Sequence, residues 1–129
     1  MRCMHQSRVH ALLIDVPEAE AAPAVAFWSA ALGATARPVP QWPWYTNLHQ
    51  ALPGLGVAVQ AVDDAPRFHL DIETDDVEAE TARLLALGAV RVSQWLEARV
   101  LRAPGGHLLC VVPVQDDPAA FKAQATTWP

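Results

Sequence analysis

The chain has 129 residues, carries a formal net charge of −5, and is 52% hydrophobic and 18% charged. This length and apolar content suit one compact domain with a buried core. The nine Lys and Arg residues are scattered singly, which argues against a nucleic acid or an anionic membrane surface as partner. A small molecule is the expected partner.

No apolar stretch approaches the roughly 20 residues that a membrane span needs, and the N-terminal residues lack the apolar core of a signal peptide. We therefore expect a cytoplasmic protein. The two cysteines form no Cys-x-x-Cys motif and no disulfide framework. Cys3 is expected in a frayed terminus, and Cys110, which lies inside an apolar run, is expected to be a buried thiol.

The first half of the chain predicts a strand, a helix and several short strands. Residues 9–16 form an apolar run bounded by Pro17, which is typical of a strand. A helix should begin at Pro23, because proline is tolerated best at the first helical position, and should end at Gly33. Prolines and glycines then break residues 34–62 into brief segments, of which residues 55–62 are the clearest strand.

The stretch that organises the chain begins at residues 68–74, where polar and apolar residues alternate. This alternation predicts a strand with two different faces. His69, Asp71 and Glu73 share one face, and the apolar side chains share the other. An imidazole and two carboxylates are thereby gathered on one side of the sheet. The alternative interpretation is a solvated face that carries surface charge.

A second helix should follow this strand. Asp75 and Glu78 form a capping box that predicts its start, and Gly88 predicts its end. Three more strands are predicted at residues 89–93, 98–102 and 107–114, the last two joined by a turn at residues 104–106. The segment after these strands is expected to hold one short helix.

The two halves of the chain repeat one another. A short apolar strand with a carboxylate precedes each of two helices that end in Ala-Leu-Gly-Ala, and an offset of roughly 55 to 58 residues indicates modular construction. We predict an α+β fold in a single domain, residues 1–129. Its two βαβββ modules lie at about residues 8–62 and 66–114, with a tail at residues 115–129. The paired modules would form a curved mixed sheet, a cup with the helices outside.

Three segments carry a resemblance to a known family: Phe-Trp-Ser-Ala-Ala-Leu-Gly at residues 27–33, His-Leu-Asp-Ile-Glu-Thr-Asp-Asp at 69–76 and Arg-Ala-Pro-Gly-Gly-His at 102–107. With the module order, these segments make residues 8–114 resemble the vicinal-oxygen-chelate superfamily. This is the group of glyoxalase I, bleomycin-resistance proteins and extradiol dioxygenases, and the likeness is to its small glyoxalase-like branch. The resemblance implies a cup for small organic ligands, often with a divalent metal bound by the first, fourth, fifth and eighth strands.

The resemblance places four residues at the metal-ligand positions: Ala11, Gln60, His69 and Cys110. Alanine offers no donor atom, and neighbouring His10 falls on the opposite face of a regular strand unless a bulge shifts it. The set holds too few oxygen ligands for Mg²⁺. Zinc would accept His69 and Cys110 but needs a third ligand, such as Asp71 or Glu73. We predict no cofactor, with a divalent metal at His69 as the alternative.

His69 and Asp71 are the predicted catalytic pair. An imidazole titrates near neutrality, and a carboxylate two residues away could orient it as a general base. The alternative is that Asp71 and Gln60 satisfy each other. The other predicted ligand-binding residues are an amide, a thiol and three aromatic side chains that would cover a flat ligand or serve dimer or core contacts: Gln60, Cys110, Trp42, Trp44 and Tyr45.

Exposed sheet edges and the Trp-rich segment predict a homodimer, because a two-fold interface would cover both. Two function classes fit a small organic ligand in the cup. The first is a glyoxalase-like lyase or related enzyme, and the second is a binding or sequestration protein of the bleomycin-resistance type. An enzyme should show a polar, partly closed cavity around His69, whereas a sequestering protein should show a wide aromatic groove shared by two chains.

Overall fold

A computed structural model of the chain describes residues 4–115 and 117–129, so the expectation for Cys3 lies outside the described residues. The strands are β1 (His5–Pro17), β2 (Thr35–Val39), β3 (Trp42–His49), β4 (Gly56–Val62), β5 (Arg67–Thr74), β6 (Val90–Trp95), β7 (Ala98–Arg102), β8 (Leu108–Pro113) and β9 (Thr126–Trp128). The helices are α1 (Ala21–Leu32), α2 (Val77–Ala86) and α3 (Pro118–Gln124), and a short 3-10 turn (Glu18–Glu20) precedes α1. No described helix has the length and apolar character that crossing a membrane requires.

The element order confirms the predicted α+β fold of two βαβββ modules. The strands form one mixed sheet in the order β2-β3-β4-β1-β5-β8-β7-β6, and β9 pairs with β1. The first and last strands of each module are parallel neighbours, β1 with β4 and β5 with β8. The pairs β2–β3, β3–β4, β6–β7, β7–β8 and β1–β9 are antiparallel.

The chain divides into two compact units. The first unit is residues 11–69, and the second unit is residues 4–10 with 70–129. The start of β1 belongs to the second unit because it is bound there on both sides. His5 pairs with Trp128 of β9, and the Thr74 hydroxyl donates to the Gln6 carbonyl at 2.7 Å.

In the first unit, helix α1 packs on one face of the sheet. A buried cluster that includes Ile14 and Val16 of β1 receives Val25 and Trp28 from the helix. The helix begins two residues before Pro23, and it ends as predicted at Gly33, whose φ of 63° is the left-handed conformation that glycine adopts without strain. The face of the sheet opposite α1 is therefore left for other contacts.

In the second unit, buried polar groups fasten the C-terminal strand. His5 Nε2 lies 2.8 Å from Glu80 Oε1, and the same carboxylate accepts two hydrogen bonds from Arg83 at 2.8 and 2.7 Å. The Arg83 guanidinium stacks 3.7 Å from the centre of the Trp128 ring, whose Nε1 donates to Ser7. Strand β9, which the sequence did not predict, is held on β1 and α2 by this network.

The predicted capping box at the start of α2 is wrong. Asp76 is the N-cap, because its side chain accepts from the Ala79 backbone N–H at 3.0 Å. Asp75 Oδ1 instead accepts from the Gln6 backbone N–H at 2.8 Å, so this carboxylate joins α2 to β1. Glu78 accepts from Arg99 rather than from a backbone group at the helix start.

Candidate functional site

A row of hydrogen-bonding side chains crosses the sheet of the first unit on the face opposite α1. Tyr45 of β3 is the register partner of Gln60 of β4, and Gln60 is the register partner of Asp15 of β1. Register partners point to the same face of a sheet. Asp15 Oδ2 lies 2.6 Å from Nδ1 of His69 in β5. We call Tyr45, Gln60, Asp15 and His69 the polar row.

An apolar surface adjoins the polar row. Ala11, Leu13 and Ala58 form a buried cluster with at most 2% exposure, and Tyr45 packs against it. Trp42 meets the Tyr45 ring edge to face, with 6.2 Å between ring centres. Because two of the three cluster residues are alanines, little side chain rises from the sheet here. Half-buried Tyr45 and Trp42, which is 43% exposed, are the rings beside this cluster that a flat apolar ligand can reach.

Asp15 is the electrostatic centre of the polar row. It is 1% exposed, and its Oδ2 is paired with His69 and lies 3.3 Å from Nε of Arg67. Burying a carboxylate is costly unless opposite charges or hydrogen bonds compensate. Among the described residues, however, Asp15 Oδ1 and Arg67 Nε have no hydrogen-bond partner. A ligand atom could therefore bond to each.

The contact between Asp15 and His69 prepares the imidazole for acid–base chemistry. A carboxylate that accepts from Nδ1–H selects the tautomer whose Nε2 carries the lone pair, and it stabilises the imidazolium formed when Nε2 takes a proton. The sequence analysis gave this orienting role to Asp71 and did not single out Asp15. Its signal was present, since Asp15 is the one carboxylate in the apolar run of residues 9–16. A charge inside a buried strand needs a partner.

Asp71 and Cys110, two further predicted site residues, lie together in the second unit. Strand alternation puts Asp71 on the His69 face of β5, and Cys110 of β8 is the register partner of Asp71. His69, Asp71 and Cys110 offer an imidazole nitrogen, a carboxylate oxygen and a thiol sulfur as potential donors. Nitrogen, oxygen and sulfur donors fit zinc in type and number, whereas Mg²⁺ prefers oxygen ligands throughout. Cys110 is half-buried and has a free thiol.

The three aromatic residues predicted to bind the ligand, Trp42, Trp44 and Tyr45, are divided between the two faces of β3. Trp44 alternates with Tyr45 along the strand, so it lies on the opposite face from the polar row. It is 41% exposed there. Trp42, at the start of the strand, keeps its contact with Tyr45. Two of the three aromatic side chains therefore border the polar row.

The second unit contains another histidine and carboxylate cluster, which the sequence analysis did not single out. Glu73 is fully buried, and its Oε1 accepts from Arg8 Nε at 2.6 Å. Its Oε2 accepts from the Gln115 backbone N–H at 3.3 Å and lies 3.5 Å from His10 Nδ1. The His10 imidazole thus lies beside the buried carboxylate of Glu73.

A cavity of about 260 Å³ lies elsewhere in the first unit, among β2, β3 and β4. Its polar lining includes Arg37, Asn47 and His49, all of which are exposed. No residue of the polar row lines it. This cavity is a separate place where a ligand could bind.

Residues 11–112 match the family model described as glyoxalase-like domain. No match was found among curated proteins. Three solved structures share the fold at TM-scores of 0.51 to 0.57. A xylose isomerase-like TIM barrel/4-hydroxyphenylpyruvate dioxygenase fusion protein is 21% identical over 92% of this chain, with a TM-score of 0.57.

The second structure is 2,2',3-trihydroxybiphenyl 1,2-dioxygenase from Sphingomonas wittichii strain RW1, 11% identical over 88% of this chain, with a TM-score of 0.57. The third is a glyoxalase/bleomycin resistance protein/dioxygenase superfamily member from Vibrio splendidus 12B01, 13% identical over 79% of this chain, with a TM-score of 0.51. The chain spans 21% of the fusion protein, 44% of the dioxygenase and 96% of the Vibrio protein. At these identities the likeness is one of fold.

Proposed function

Because this chain belongs to the glyoxalase-like domain family, we propose that it binds a small organic substrate on the polar row and moves a proton of that substrate with His69. The observation that carries the proposal is the 2.6 Å contact between His69 Nδ1 and the buried carboxylate of Asp15. A histidine oriented by a carboxylate is the arrangement that a general base requires.

Shielding from water supports a catalytic role for this pair. The side chains of His69 and Asp15 are 9% and 1% exposed. In such a site the attraction between the carboxylate and a newly formed imidazolium is stronger than it would be in water. A donor group on a bound substrate would supply the hydrogen-bond partner that Asp15 Oδ1 lacks among the described residues.

Proton abstraction beside a carbonyl group is the reaction class that the residues of the polar row favour. Such a reaction places negative charge on the carbonyl oxygen as the proton leaves carbon. The Tyr45 hydroxyl and the Gln60 amide, on the same face as Asp15, are hydrogen-bond donors of the kind that stabilise this charge. His69 takes the proton, and the apolar surface beside the polar row would hold the substrate's body.

No step of this proposal is assigned to a metal. If zinc were bound, the imidazole of His69 would be one of its ligands, and the metal would polarise the substrate carbonyl as a Lewis acid. Asp15 would then orient His69 as a zinc ligand rather than as a general base. We expect the purified protein to contain no stoichiometric divalent metal, as elemental analysis would establish.

Proton exchange with solvent tests the proposal without knowledge of the natural substrate. Acetone, acetophenone and a propionyl thioester are incubated with the protein in D₂O, and NMR follows deuterium incorporation beside the carbonyl. We expect the protein to accelerate exchange of at least one compound. His69→Gln should lower the rate by about 100-fold or more, since general-base catalysis contributes at least this much. His49→Gln, at an exposed histidine of the same unit, is the matched control.

Binding without exchange would favour the second function class. A sequestering protein should bind an aromatic compound through exposed rings such as Trp42, which is 43% exposed. In that case His69→Gln would leave the affinity unchanged and Trp42→Ala would lower it. This pair of results would replace the enzyme proposal with sequestration.

A further inference from the structure

Each unit contains the same cluster of arginine, histidine and carboxylate. The sequence Arg-x-His occurs twice, as Arg8 and His10 in β1 and as Arg67 and His69 in β5. The first pair contacts the fully buried Glu73 of β5. The second pair contacts Asp15 of β1, which is 1% exposed. The two clusters are therefore duplicates in composition, but they differ in what completes them.

In the second unit, amide groups of the chain itself complete the cluster. Glu73 Oε2 accepts from the backbone N–H of Gln115 at 3.3 Å. Arg8 Nη1 donates to the side-chain carbonyl oxygen of Gln124 at 2.5 Å and to the backbone carbonyl of Ala120 at 3.4 Å. The carboxylate thus receives an amide N–H, and the guanidinium donates to amide carbonyl oxygens.

In the first unit, Arg67 Nη1 donates to Asp64 Oδ2 at 2.8 Å, and two other polar atoms of the cluster are not completed by the described residues. Asp15 Oδ1 and Arg67 Nε have no hydrogen-bond partner there, although Nε is 3.3 Å from Asp15 Oδ2. A buried acceptor thus lies next to a buried donor. Each loses free energy while it lacks a partner.

We infer that Asp15 and Arg67 bind an amide group of the ligand, whose N–H donates to Asp15 Oδ1 and whose carbonyl oxygen accepts from Arg67 Nε. The inference rests on the proposed function for the location of the ligand, and it adds the ligand's chemical class. An amide presents one donor and one acceptor side by side. A ketone or an ester presents acceptors only, so it could serve Arg67 and would leave Asp15 Oδ1 without a donor.

Three benzoyl compounds that differ in one group test the inference. Benzamide carries the N–H donors, and N,N-dimethylbenzamide and methyl benzoate keep the ring and the carbonyl without them. The ring suits the apolar surface beside Tyr45 and Trp42. Affinities are measured by NMR titration of the full chain. We expect benzamide to bind about tenfold or more tightly than the other two, since a hydrogen bond to a charged group is worth that much.

Two variants test whether Asp15 and Arg67 cause the preference for benzamide. Asp15→Asn should reduce it to less than about threefold, because the charge that strengthens the hydrogen bond is removed. Arg67→Lys keeps the positive charge at a position whose side chain is 33% exposed, and it should weaken benzamide binding through loss of Nε. Glu73→Gln, in the cluster completed by the chain itself, should leave the preference unchanged.

Equal affinity for benzamide and methyl benzoate would overturn the inference while leaving the proposed proton transfer standing. Retention of the full preference in both Asp15→Asn and Arg67→Lys would also overturn it, because the amide would then bind elsewhere. Absence of benzamide binding up to about 10 mM would overturn it as well, since an oriented amide should reach millimolar affinity. The deuterium-exchange experiment tests the proposed function independently of the amide inference.

Discussion

At the scale of single residues, the chain places several carboxylates out of contact with water and compensates each one differently. Asp15 is paired with His69 and Arg67, whereas Glu80 in α2 is fully buried and contacts His5 and Arg83. Burial alone would raise the pKa of Glu80, but hydrogen bonds from Arg83, His5 and Ser7 lower the pKa below its ordinary value.

Replacing Glu80 should therefore change how the free energy of unfolding depends on pH. The pKa of Glu80 is lower in the folded than in the unfolded chain, so its stabilisation is fully present above the ordinary value of 4.5 and is lost as the pH falls through the folded value. Glu80→Gln should reduce the free energy of unfolding by about 3 kcal/mol at neutral pH, because His5 and Arg83 lose their buried partner. Urea unfolding from pH 7 to pH 3 measures the difference.

Glu78→Gln is the matched control for this prediction, because Glu78 lies on the same helix with a side chain that is 70% exposed. Its effect should stay below about 1 kcal/mol, as for other surface pairs. A difference between wild type and Glu80→Gln that stays constant from pH 7 to pH 3 would show that the ionised carboxylate is not the stabilising species.

Sequence reasoning proposed His69 as a site residue but did not predict that the Asp15 carboxylate contacts its Nδ1. Strand alternation and the family resemblance both depend on neighbouring residues, so they indicated His69 together with Asp71. Asp15 lies on another strand, and its contact with His69 depends on the pairing of strands far apart in the chain. No local sequence pattern encodes such a pairing of strands. The single carboxylate in an apolar strand did indicate that Asp15 needs a buried partner.

At the scale of elements, strands and helices with strong local signals were predicted within a few residues. Strand β7 has the predicted bounds, and Gly33 ends α1 as expected. Strand β1 is longer than predicted because His5–Ser7 pair with β9, and β9 itself has only three residues. A strand this short leaves no alternation to detect, and the partner on β1 supplies its hydrogen bonds.

The start of α2 gives a test of element boundaries. Asp76→Ala should remove the bond from the Ala79 backbone N–H and cost about 1 kcal/mol, as is usual for loss of an N-cap. Hydrogen exchange at the Ala79 amide should accelerate. Asp75→Ala is the comparison, since it should accelerate exchange at Gln6 and leave Ala79 protected. Accelerated exchange at the Glu78 amide in Asp75→Ala would contradict this assignment, because a capping box that begins at Asp75 bonds the N–H of Glu78.

At the scale of the whole molecule, the modular repeat in the sequence predicted the order of elements and the fold class. It could not predict that residues 4–10 belong with the second module, because that depends on contacts with the tail. The Arg-x-His sequence is visible in both modules of the sequence. That recurrence becomes informative only once Glu73 and Asp15 are known to be buried beside it.

The apolar surface of helix α1 further supports the expected dimer. No charged residue lies between Glu20 and Arg37, and Phe27 on the helix is 62% exposed. Its ring meets Trp28 edge to face, and Trp28 meets Phe68, which is 56% exposed. A helix that is apolar all round is normally covered. We predict a homodimer, and light scattering that showed a monomer at tens of micromolar would contradict it.

The central claim is that a small organic ligand binds at the polar row. The most direct test maps the residues that a ligand contacts. Benzamide and acetophenone are titrated into ¹⁵N-labelled protein, and shifts of the backbone amides are mapped. We predict shifts at Tyr45, Gln60, Asp15 and His69, and Asp15→Asn should weaken the benzamide binding that causes them. Shifts confined to the cavity lined by Arg37 would contradict the account, since that cavity shares no residue with the polar row.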